Sequence, residues 1–387
     1  MAEDVLFEIG AEEIPAGAMP GILAQLKSLT ETKLQEHHLK YEVIRTMGTP
    51  RRITLMVDGA ADMSEELSER HKGPSAAIAY DADGNPTKAA IGFARGKGLD
   101  VADLVVEDGY IYAETKTAGV KAMDIFTQIL PELIHGLSFP KSMHWGDLDD
   151  KFIRPVRWIL ALLGTAVIPV EFAGVRSSNF SRGHRFLGER GVLVQHPADY
   201  IKNLEDNFVI VDQDKRRDMI SKQLHDLADS KNATIVWDDD LLEEVLYLVE
   251  YPTALCGTFD ESYLALPDAA VITPMKDHQR YFPLVSKDGK LLPMFLTVRN
   301  GDSHSLDVVT AGNERVLRAR LDDAKFFFNE DRKKALADRS EGLKKIVFQE
   351  GLGNLADKTE RLLALGAEFG EACGLGEAPW QKRIFIR

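Results

Sequence analysis

Cysteine is scarce in this chain, and the scarcity limits the kinds of site that it can hold. Only Cys256 and Cys373 occur among 387 residues, far apart and without a CxxC pair. A disulfide framework or a thiolate zinc site is therefore not expected, and a reducing, cytoplasmic setting fits. No apolar run is long enough to cross a bilayer, so no membrane partner is expected. The opening residues, MAEDVLFEIG, are acidic where a signal peptide would be basic.

Several sequence signatures of nucleotide and acyl chemistry are also missing. The chain has no GxxxxGK[ST] phosphate loop, no GxGxxG after a strand and no GxSxG nucleophile elbow. Neither a HIGH-type signature nor a set of class II synthetase motifs is present. No catalytic residue, bound cofactor or metal ligand is assigned from these motifs.

The chain also lacks an excess of basic residues. The 61 acidic and 47 basic residues give a formal net charge of −14 at pH 7. This balance argues against a protein that coats nucleic acid generally, and DNA is not an expected partner. A local basic surface on an otherwise acidic protein remains compatible with this net charge. The length and a hydrophobic content of 44% predict two or three globular domains.

The residue pattern predicts an α+β fold with several domains, in which mixed sheets pack against helices. The opening reads as a strand at 5–9, a helix at about 17–36 and a strand pair at 41–46 and 53–57. The polar residues 58–80, which end near His71-Lys72-Gly73-Pro74, are expected to form a loop.

The stretch 271–334 reads as a hairpin followed by one amphipathic helix. A strand is expected around Val271, a turn at Asp288-Gly289 and a returning strand from Leu291 to Val298. Asn313 is the expected cap of the helix that follows. The change of period predicts a boundary near residue 312, with mostly helical structure after it.

Basic side chains alternate with aromatic ones in FPKSMHW (139–145) and FIRPVRW (152–158). Arg154 and Arg157 are candidates for an RNA surface, because guanidiniums neutralise phosphates and aromatic faces stack on bases. The alternative is that the tryptophans pack in a core and that both arginines pair with nearby aspartates, at positions 147, 149 and 150.

The hexapeptide Ser181-Arg182-Gly183-His184-Arg185-Phe186 is a second candidate. Its glycine permits a tight loop, from which Arg182 and Arg185 can present guanidiniums to a phosphate. The alternative is a buried polar network that holds the loop to a sheet. The sequence leaves both interpretations open.

Lys276 and Arg280 frame a third cluster, which contains Asp277 and His278. Neighbouring strand residues point to opposite faces, so an Asp277–His278 acid-base dyad requires a turn in the backbone. Contact with a partner or with another domain is the favoured role.

Arg315 and Arg318 begin a fourth cluster on the predicted helix, as the first members of a phosphate-binding stripe. The spacing of Arg318, Asp322 and Lys325 favours pairing along the helix surface instead. The HD dipeptide His225-Asp226 lacks the further ligands that a metal-dependent phosphohydrolase needs, and it is interpreted as incidental.

Ten segments together resemble the beta subunit of bacterial tetrameric glycyl-tRNA synthetase. They occur in the family's order and span nearly the whole chain. The segments are LFEIGAEEIP (6–15), TPRRITLMV (49–57), HKGP (71–74), FPKSMHWG (139–146), FIRPVRWILALLG (152–164), SRGHRF (181–186), YPTALCGTFD (251–260), MKDHQRYFPL (275–284), VRNGD (298–302) and GNERVLRARLDDAKFFFNEDRKK (312–334).

The resemblance implies a non-catalytic subunit of glycine–tRNA ligase that binds tRNA(Gly) and supports an alpha subunit. The alpha subunit would use ATP and Mg²⁺ to activate glycine, within an alpha2beta2 heterotetramer. It also implies an N-terminal α+β unit at 1–60, a B3/B4-like module within 61–312, and the start of an HD-like helical region at 313–387. Because the family's beta subunit continues further, a fragment or truncated form is expected.

The residues expected to contact tRNA phosphates come from all four clusters. They are Arg154, Arg157, Arg182, Arg185, Lys276, Arg280, Arg315 and Arg318. Two other functions remain open at this point. One is a hydrolase, either an editing deacylase or an HD-type phosphohydrolase, and the other is a pure scaffold for the alpha subunit.

Overall fold

The structure is a computed structural model, which describes residues 2–81 and 83–374. Two compact units are present, and segments of the chain alternate between them. The first unit contains Met1–Lys231, Trp237–Leu255 and Thr297–His304. The second contains Asn232–Val236, Cys256–Leu296 and Ser305–Arg387. Both cysteines are free thiols.

Helices and strands are mixed along the described residues, which confirms the expected α+β class. The ten α-helices there are α1 (Met19–Glu36), α2 (Ala76–Ala79), α3 (Lys88–Gly96), α4 (Ala122–Gly136), α5 (Tyr200–Glu205), α6 (Gln213–Ser230), α7 (Asp239–Leu246), α8 (Asp268–Thr273), α9 (Leu306–Arg332) and α10 (Leu355–Ala372). None of these helices combines the length and the apolar character that a membrane span requires.

The described residues also form eighteen strands. They are β1 (Glu3–Ala11), β2 (Val43–Thr49), β3 (Arg52–Ala60), β4 (Leu67–Ser75), β5 (Val105–Glu107), β6 (Tyr110–Thr117), β7 (Val156–Leu163), β8 (Ala166–Val167), β9 (Glu171–Phe172), β10 (Val175–Ser178), β11 (Phe180–Ser181), β12 (Val192–Leu193), β13 (Thr234–Ile235), β14 (Pro252–Thr258), β15 (Phe282–Val285), β16 (Leu291–Asn300), β17 (Val347–Gln349) and β18 (Gly353–Asn354).

The main sheet of the first unit is built around β1. Its strand order is β2-β3-β1-β7-β10-β9, and β8 pairs with β7. Strand β1 is antiparallel to both neighbours, so that Leu6 lies opposite Met56 on β3 and Leu162 on β7. Helix α1 packs on β2 and β3 and against α4. The predicted opening strand, helix and strand pair are confirmed.

Residues 67–117 add a small three-stranded sheet with the order β4-β6-β5. Ala90 and Ala94 of α3 pack with Ile111 and Ala113 of β6 in its core. The expectation of a loop at 58–80 is therefore wrong for Leu67–Ser75. Strand β4 lies at a sheet edge and its register shifts between Lys72 and Ser75, and edges and bulges are where a sheet tolerates proline.

The second unit contains β13, β15, the part of β16 up to Leu296 and the long helix α9. The predicted turn near Asp288-Gly289 and the strand from Leu291 are confirmed. The predicted strand around Val271 is wrong, because helix α8 ends at Thr273 and a π-helical turn, Pro274–His278, follows it. Val271 and Met275 are spaced by one helical turn and both are fully buried in the same cluster.

Helix α9 begins earlier than the sequence indicated. It starts at Leu306, so Asn313 lies inside the helix and is not its cap. The side chain of Asn313 accepts a hydrogen bond from the Tyr281 hydroxyl at 2.7 Å and donates one to Val309 O. Leu317 and Leu321 are buried on the predicted apolar face.

Arg216 on α6 is fully buried and is bound by backbone carbonyls instead of a carboxylate. Its guanidinium donates to Leu246 O at 3.0 Å, to Ile210 O at 2.5 Å and to Gly48 O at 2.7 Å. Burial lowers the pKa of Arg216 to about 10, which still leaves it charged at neutral pH. One guanidinium thus ties α6 to β2, to the segment before α6 and to the end of α7.

Replacement of Arg216 by methionine should destabilise the first unit. The Arg216→Met side chain has a similar length but leaves buried carbonyl groups without donors, at a cost of about 2–4 kcal/mol in the free energy of unfolding. Arg217→Met is the matched control, because Arg217 pairs with Glu243 at the surface and its loss should cost less than about 1 kcal/mol. Urea unfolding measures both values, and equal values for the two variants would contradict this role.

Candidate nucleic-acid interface

A buried ionic network links three segments of the first unit. Glu8 on β1, Arg52 on β3 and Glu250 are each at most 1% exposed. Arg52 donates through Nε to Glu250 Oε1 at 3.1 Å, and its Nη1 lies 3.6 Å from Glu8 Oε2. The arginine lowers the pKa of Glu250 against the opposing effect of burial, so the carboxylate stays ionised.

Glu8 gathers further donors from distant parts of the chain. Its Oε1 accepts from Trp158 Nε1 on β7 and from Ser181 Oγ at 2.7 Å, and its Oε2 accepts from the Tyr200 hydroxyl on α5. Gly10 makes this arrangement possible, because a Cβ at that position would lie 1.9 Å from the Trp158 ring. One carboxylate therefore positions β7, α5 and the start of the loop that follows β11.

The loop 181–190 is held from its inner side. Arg52 Nη1 donates to Arg182 O at 2.8 Å, while the Arg182 guanidinium lies 4.9 Å from the centre of the Trp158 ring. Gly183 N donates to Glu189 O at 2.8 Å, and Gly188 N donates to His184 O at 2.9 Å. Backbone atoms approach so closely at both glycines that a Cβ would clash. The network thus fixes the backbone of the loop, on which the side chains of Arg185 and Arg190 are exposed.

His184 is a structural member of this loop. It is 2% exposed, and its Nε2 lies 3.1 Å from Asn300 Oδ1. Asn300 Oδ1 also accepts from the backbone N–H groups of Glu250 and Tyr251, so Nε2 of His184 must be the donor. Burial lowers the pKa of His184 below its usual value, and nearby Arg51 and Arg52 act in the same direction while Glu250 opposes them.

A cationic pocket of about 330 Å³ opens beside this network. Four arginines and one histidine contribute to its wall together with one carboxylate. The lining residues are Arg51, Arg182, Gly183, His184, Arg185, Gly188, Glu189 and Arg190. The interpretation of Ser181–Phe186 as a polar network that holds the loop is confirmed, and phosphate binding by Arg182 and Arg185 stays a prediction.

Three of the predicted arginines come together near this pocket. Arg157 pairs with Glu12 at 3.0 Å, and Arg185 pairs with Glu12 at 2.8 Å and with Glu13 at 3.0 Å. Arg182 donates to Arg157 O at 3.2 Å. The expected partner of Arg157, one of the aspartates after Trp145, is wrong, because its carboxylate partner comes from the loop after β1.

Arg154 is half-buried and donates to the carbonyl of the preceding residue, Ile153, at 2.8 Å. Its guanidinium lines no part of the pocket. Trp158 is buried as the core interpretation expected, whereas Trp145 is only partly buried.

The other four predicted residues belong to the second unit. Lys276 is half-buried on the π-helical turn, and Arg280 donates to Asp277 O. Arg315 and Arg318 are exposed on α9 and make no ion pair with the part of the chain that the structure describes. Each cluster is therefore described on its own.

The expected charge pairing along α9 is wrong. Asp322 accepts a hydrogen bond from the Tyr263 hydroxyl at 2.5 Å, and Lys325 donates to Ser262 Oγ at 3.3 Å. Burial and the bond to Asp322 raise the pKa of Tyr263 to about 12. Tertiary contacts thus engage Asp322, the expected partner of Arg318 and Lys325, and Lys325 itself.

Several residues of the site were not singled out from sequence. Arg51 and Arg190 line the pocket, and Glu8, Glu12 and Glu250 position its arginines. The sequence signal for Arg51 was the Arg51-Arg52 pair at the start of β3. Neighbouring strand residues point to opposite faces, so the two arginines are expected to have different surroundings.

The polar groups of the HD dipeptide bond within α6, and the His225 ring lies 4.9 Å from the Trp237 ring. His225 Nδ1 lies 2.8 Å from Ser221 O, and Asp226 pairs with Lys222 one turn earlier. Across residues 2–81 and 83–374, no cluster of three or more histidine, cysteine or acidic side chains is placed to hold a metal ion.

The depressed pKa of His184 predicts a pH-dependent contribution to stability. In the unfolded chain His184 takes up a proton near pH 6.5, whereas in the folded chain its pKa is lower. The contribution of His184 to the free energy of unfolding is therefore complete above pH 6.5 and is lost as the pH falls. The stability advantage of the wild type over His184→Gln should therefore shrink between pH 7.5 and pH 5.5 in urea unfolding. The other histidines are common to both proteins and cancel in the difference. An advantage that stays constant over this range would contradict the prediction.

Known proteins match this chain over nearly its whole length. The family model described as "Glycyl-tRNA synthetase beta subunit" matches residues 5–382. The glycine–tRNA ligase beta subunit of Desulforamulus reducens is 46% identical over 381 residues, which is 97% of this chain and 55% of that protein. The corresponding subunit of Clostridioides difficile is 48% identical over 379 residues, again 97% of this chain and 55% of that protein.

A third relative shows the same proportions. The beta subunit of Moorella thermoacetica is 48% identical over 369 residues, covering 94% of this chain and 53% of that protein. The chain thus spans about half the length of the curated relatives that it matches. The extent of the family match and the level of identity agree, and the chain belongs to the glycyl-tRNA synthetase beta-subunit family.

Proposed function

We propose that this chain is the tRNA-binding part of a glycine–tRNA ligase beta subunit and that it has no catalytic residue of its own. An alpha subunit would activate glycine with ATP and Mg²⁺, and the assembled alpha2beta2 heterotetramer would transfer the glycyl group to tRNA(Gly) in the cytoplasm. The names of the relatives support the ligase complex. The missing nucleotide-binding and synthetase signatures support catalysis in the other subunit.

The observation that carries the tRNA proposal is the convergence of cations on an otherwise acidic chain. The formal net charge is −14, yet Arg51, Arg182 and Arg190 line one pocket without an ion pair to any residue that the structure describes. Guanidiniums that lack carboxylate partners are suited to phosphate oxygens, and phosphate contacts supply most of the affinity for nucleic acid.

Local charge elsewhere in the site is already balanced. Glu12 and Glu13 offset Arg157 and Arg185, so those arginines bind phosphate less strongly than their number suggests. The functional core of the interface is therefore the unpaired set, with the exposed Arg315 and Arg318 of α9 as a second contact region. Lys276, Arg280 and Arg154 are peripheral members of the proposal.

The same proposal includes the domain assignments that the resemblance implies. A B3/B4-like module lies within 61–312, and 313–387 begins an HD-like helical region, of which residues 375–387 lie outside the described part. A hydrolase is less well supported, because His225 and Asp226 bond to neighbouring groups of α6. A pure scaffold for the alpha subunit is an outcome of the following test.

Removal of two unpaired guanidiniums should weaken tRNA binding and its dependence on salt. The chain is titrated with tRNA(Gly) at several salt concentrations, as wild type and as Arg182→Ala/Arg190→Ala. Each phosphate that is no longer neutralised should reduce the slope of log affinity against log salt by about one, so the slope of the double variant should fall by about two.

Arg176→Ala is the control for a generic loss of charge, because Arg176 is 82% exposed and already paired with Glu171. Its affinity and slope should match the wild type. If the double variant binds tRNA like the wild type, the pocket is not the interface. If the wild type binds no tRNA while it binds the alpha subunit, the chain is a scaffold.

A further inference from the structure

Phe186 is an aromatic side chain that the fold leaves in solvent. It is 84% exposed, although it directly follows Arg185 in the wall of the cationic pocket. Its backbone N–H donates to Nδ1 of the buried His184 at 3.4 Å, so the network restrains the main chain on which the ring stands. The Phe186 ring lies 6.2 Å from the ring of His184, which lines the pocket, and most of its surface stays in solvent. The ring is therefore available to stack on a planar ligand.

Arg51 supplies an independent observation inside the same pocket. The residue is only 9% exposed, and its side chain makes no hydrogen bond or ion pair within the described part of the chain. Glu250, whose charge favours the ionised form of Arg51, bonds to Thr49 and Arg52 instead. A buried guanidinium without a bonded acceptor is costly, and an anion in the pocket would satisfy it.

Repulsion among the neighbouring cations also favours a bound anion. Burial lowers the pKa of Arg182, and Arg157 and Arg190 lower it further while Glu12 opposes them. Glu189 is the one carboxylate in the wall of the pocket, where four arginines also lie. A bound phosphate would relieve this excess of positive charge.

We propose that Phe186 and the pocket behind it bind a single unpaired nucleotide, with the base stacked on Phe186 and the phosphate held by Arg51, Arg182 and Arg190. This inference rests on the proposed tRNA-binding function and specifies what the site recognises. A base inside a duplex has both faces covered by its neighbours, whereas an unpaired base at a strand end offers a face to an aromatic ring. A pocket of about 330 Å³ is at the lower limit for small ligands, which suits one nucleotide.

A terminal nucleotide of a single strand and a free mononucleotide share this chemistry. The test therefore measures fluorescence anisotropy of the 387-residue chain with a labelled single-stranded RNA hexamer. A blunt RNA hairpin of the same composition and AMP serve as competitors, and tRNA(Gly) is titrated in parallel. The variants are Phe186→Ala, Phe186→Tyr, Arg51→Gln and Phe327→Ala.

The expected result separates stacking from charge. Phe186→Ala should weaken hexamer binding about tenfold without changing the salt slope, because stacking is not electrostatic. Phe186→Tyr keeps a ring and should bind like the wild type. Arg51→Gln should weaken binding and reduce the slope by about one, provided that its thermal melting shows a folded chain. Phe327→Ala removes a ring that is 62% exposed in the second unit and should have no effect.

The outcomes distinguish this inference from the function on which it rests. If tRNA binds but Phe186→Ala binds the hexamer as well as the wild type does, the stacking site is overturned and tRNA binding stands. A hairpin that competes as strongly as the unlabelled hexamer would also overturn it. If the wild type binds neither RNA nor AMP, both proposals fail. Binding of AMP that equals hexamer binding and depends on Phe186 supports the site and assigns it a free nucleotide.

Discussion

The architecture of the first unit depends on the placement of charged groups inside its core. Two glutamates and one arginine are removed from water, and each is compensated by donors or acceptors from several segments. Removal of one partner would leave a buried charge unpaired. Because that cost is large, the network is stable only when all of its members are present. Glu8 lies at the centre of the sheet, so β1, β7, α5 and the loop 181–190 share a single set of constraints.

This network also explains how an acidic protein can present a cationic pocket. Glu8 and Arg52 hold the backbone of the loop by bonds to Ser181 Oγ and Arg182 O. The arginines of the loop are therefore attached to a backbone whose position is fixed. A rigid backbone lowers the entropy cost of ligand binding, since fewer groups are ordered by the ligand. The site therefore rests on interior polar contacts as much as on its surface arginines.

Sequence patterns predicted much of this fold where the signal is local. The apolar run in β1 and the period of α1 were sufficient, and so were the turn before β16 and the buried face of α9. The pattern failed where tertiary contacts prevail. Val271 lies in a β-branched run that favours a strand, yet it is buried one helical turn from Met275. Arg182 and Arg185 were predicted, but Arg51 is separated from them by about 130 residues of sequence, and no local pattern links them.

Hydrogen–deuterium exchange of the chain with and without tRNA(Gly) tests most directly whether the loop 181–190 is the interface. Exchange reports local protection along the backbone, and it requires no substitution that could disturb the buried network. The account predicts slower exchange in 181–190 when tRNA is bound, with the loop around Glu12 following it. Protection confined to other segments, with unchanged exchange in 181–190 at saturating tRNA, would contradict it.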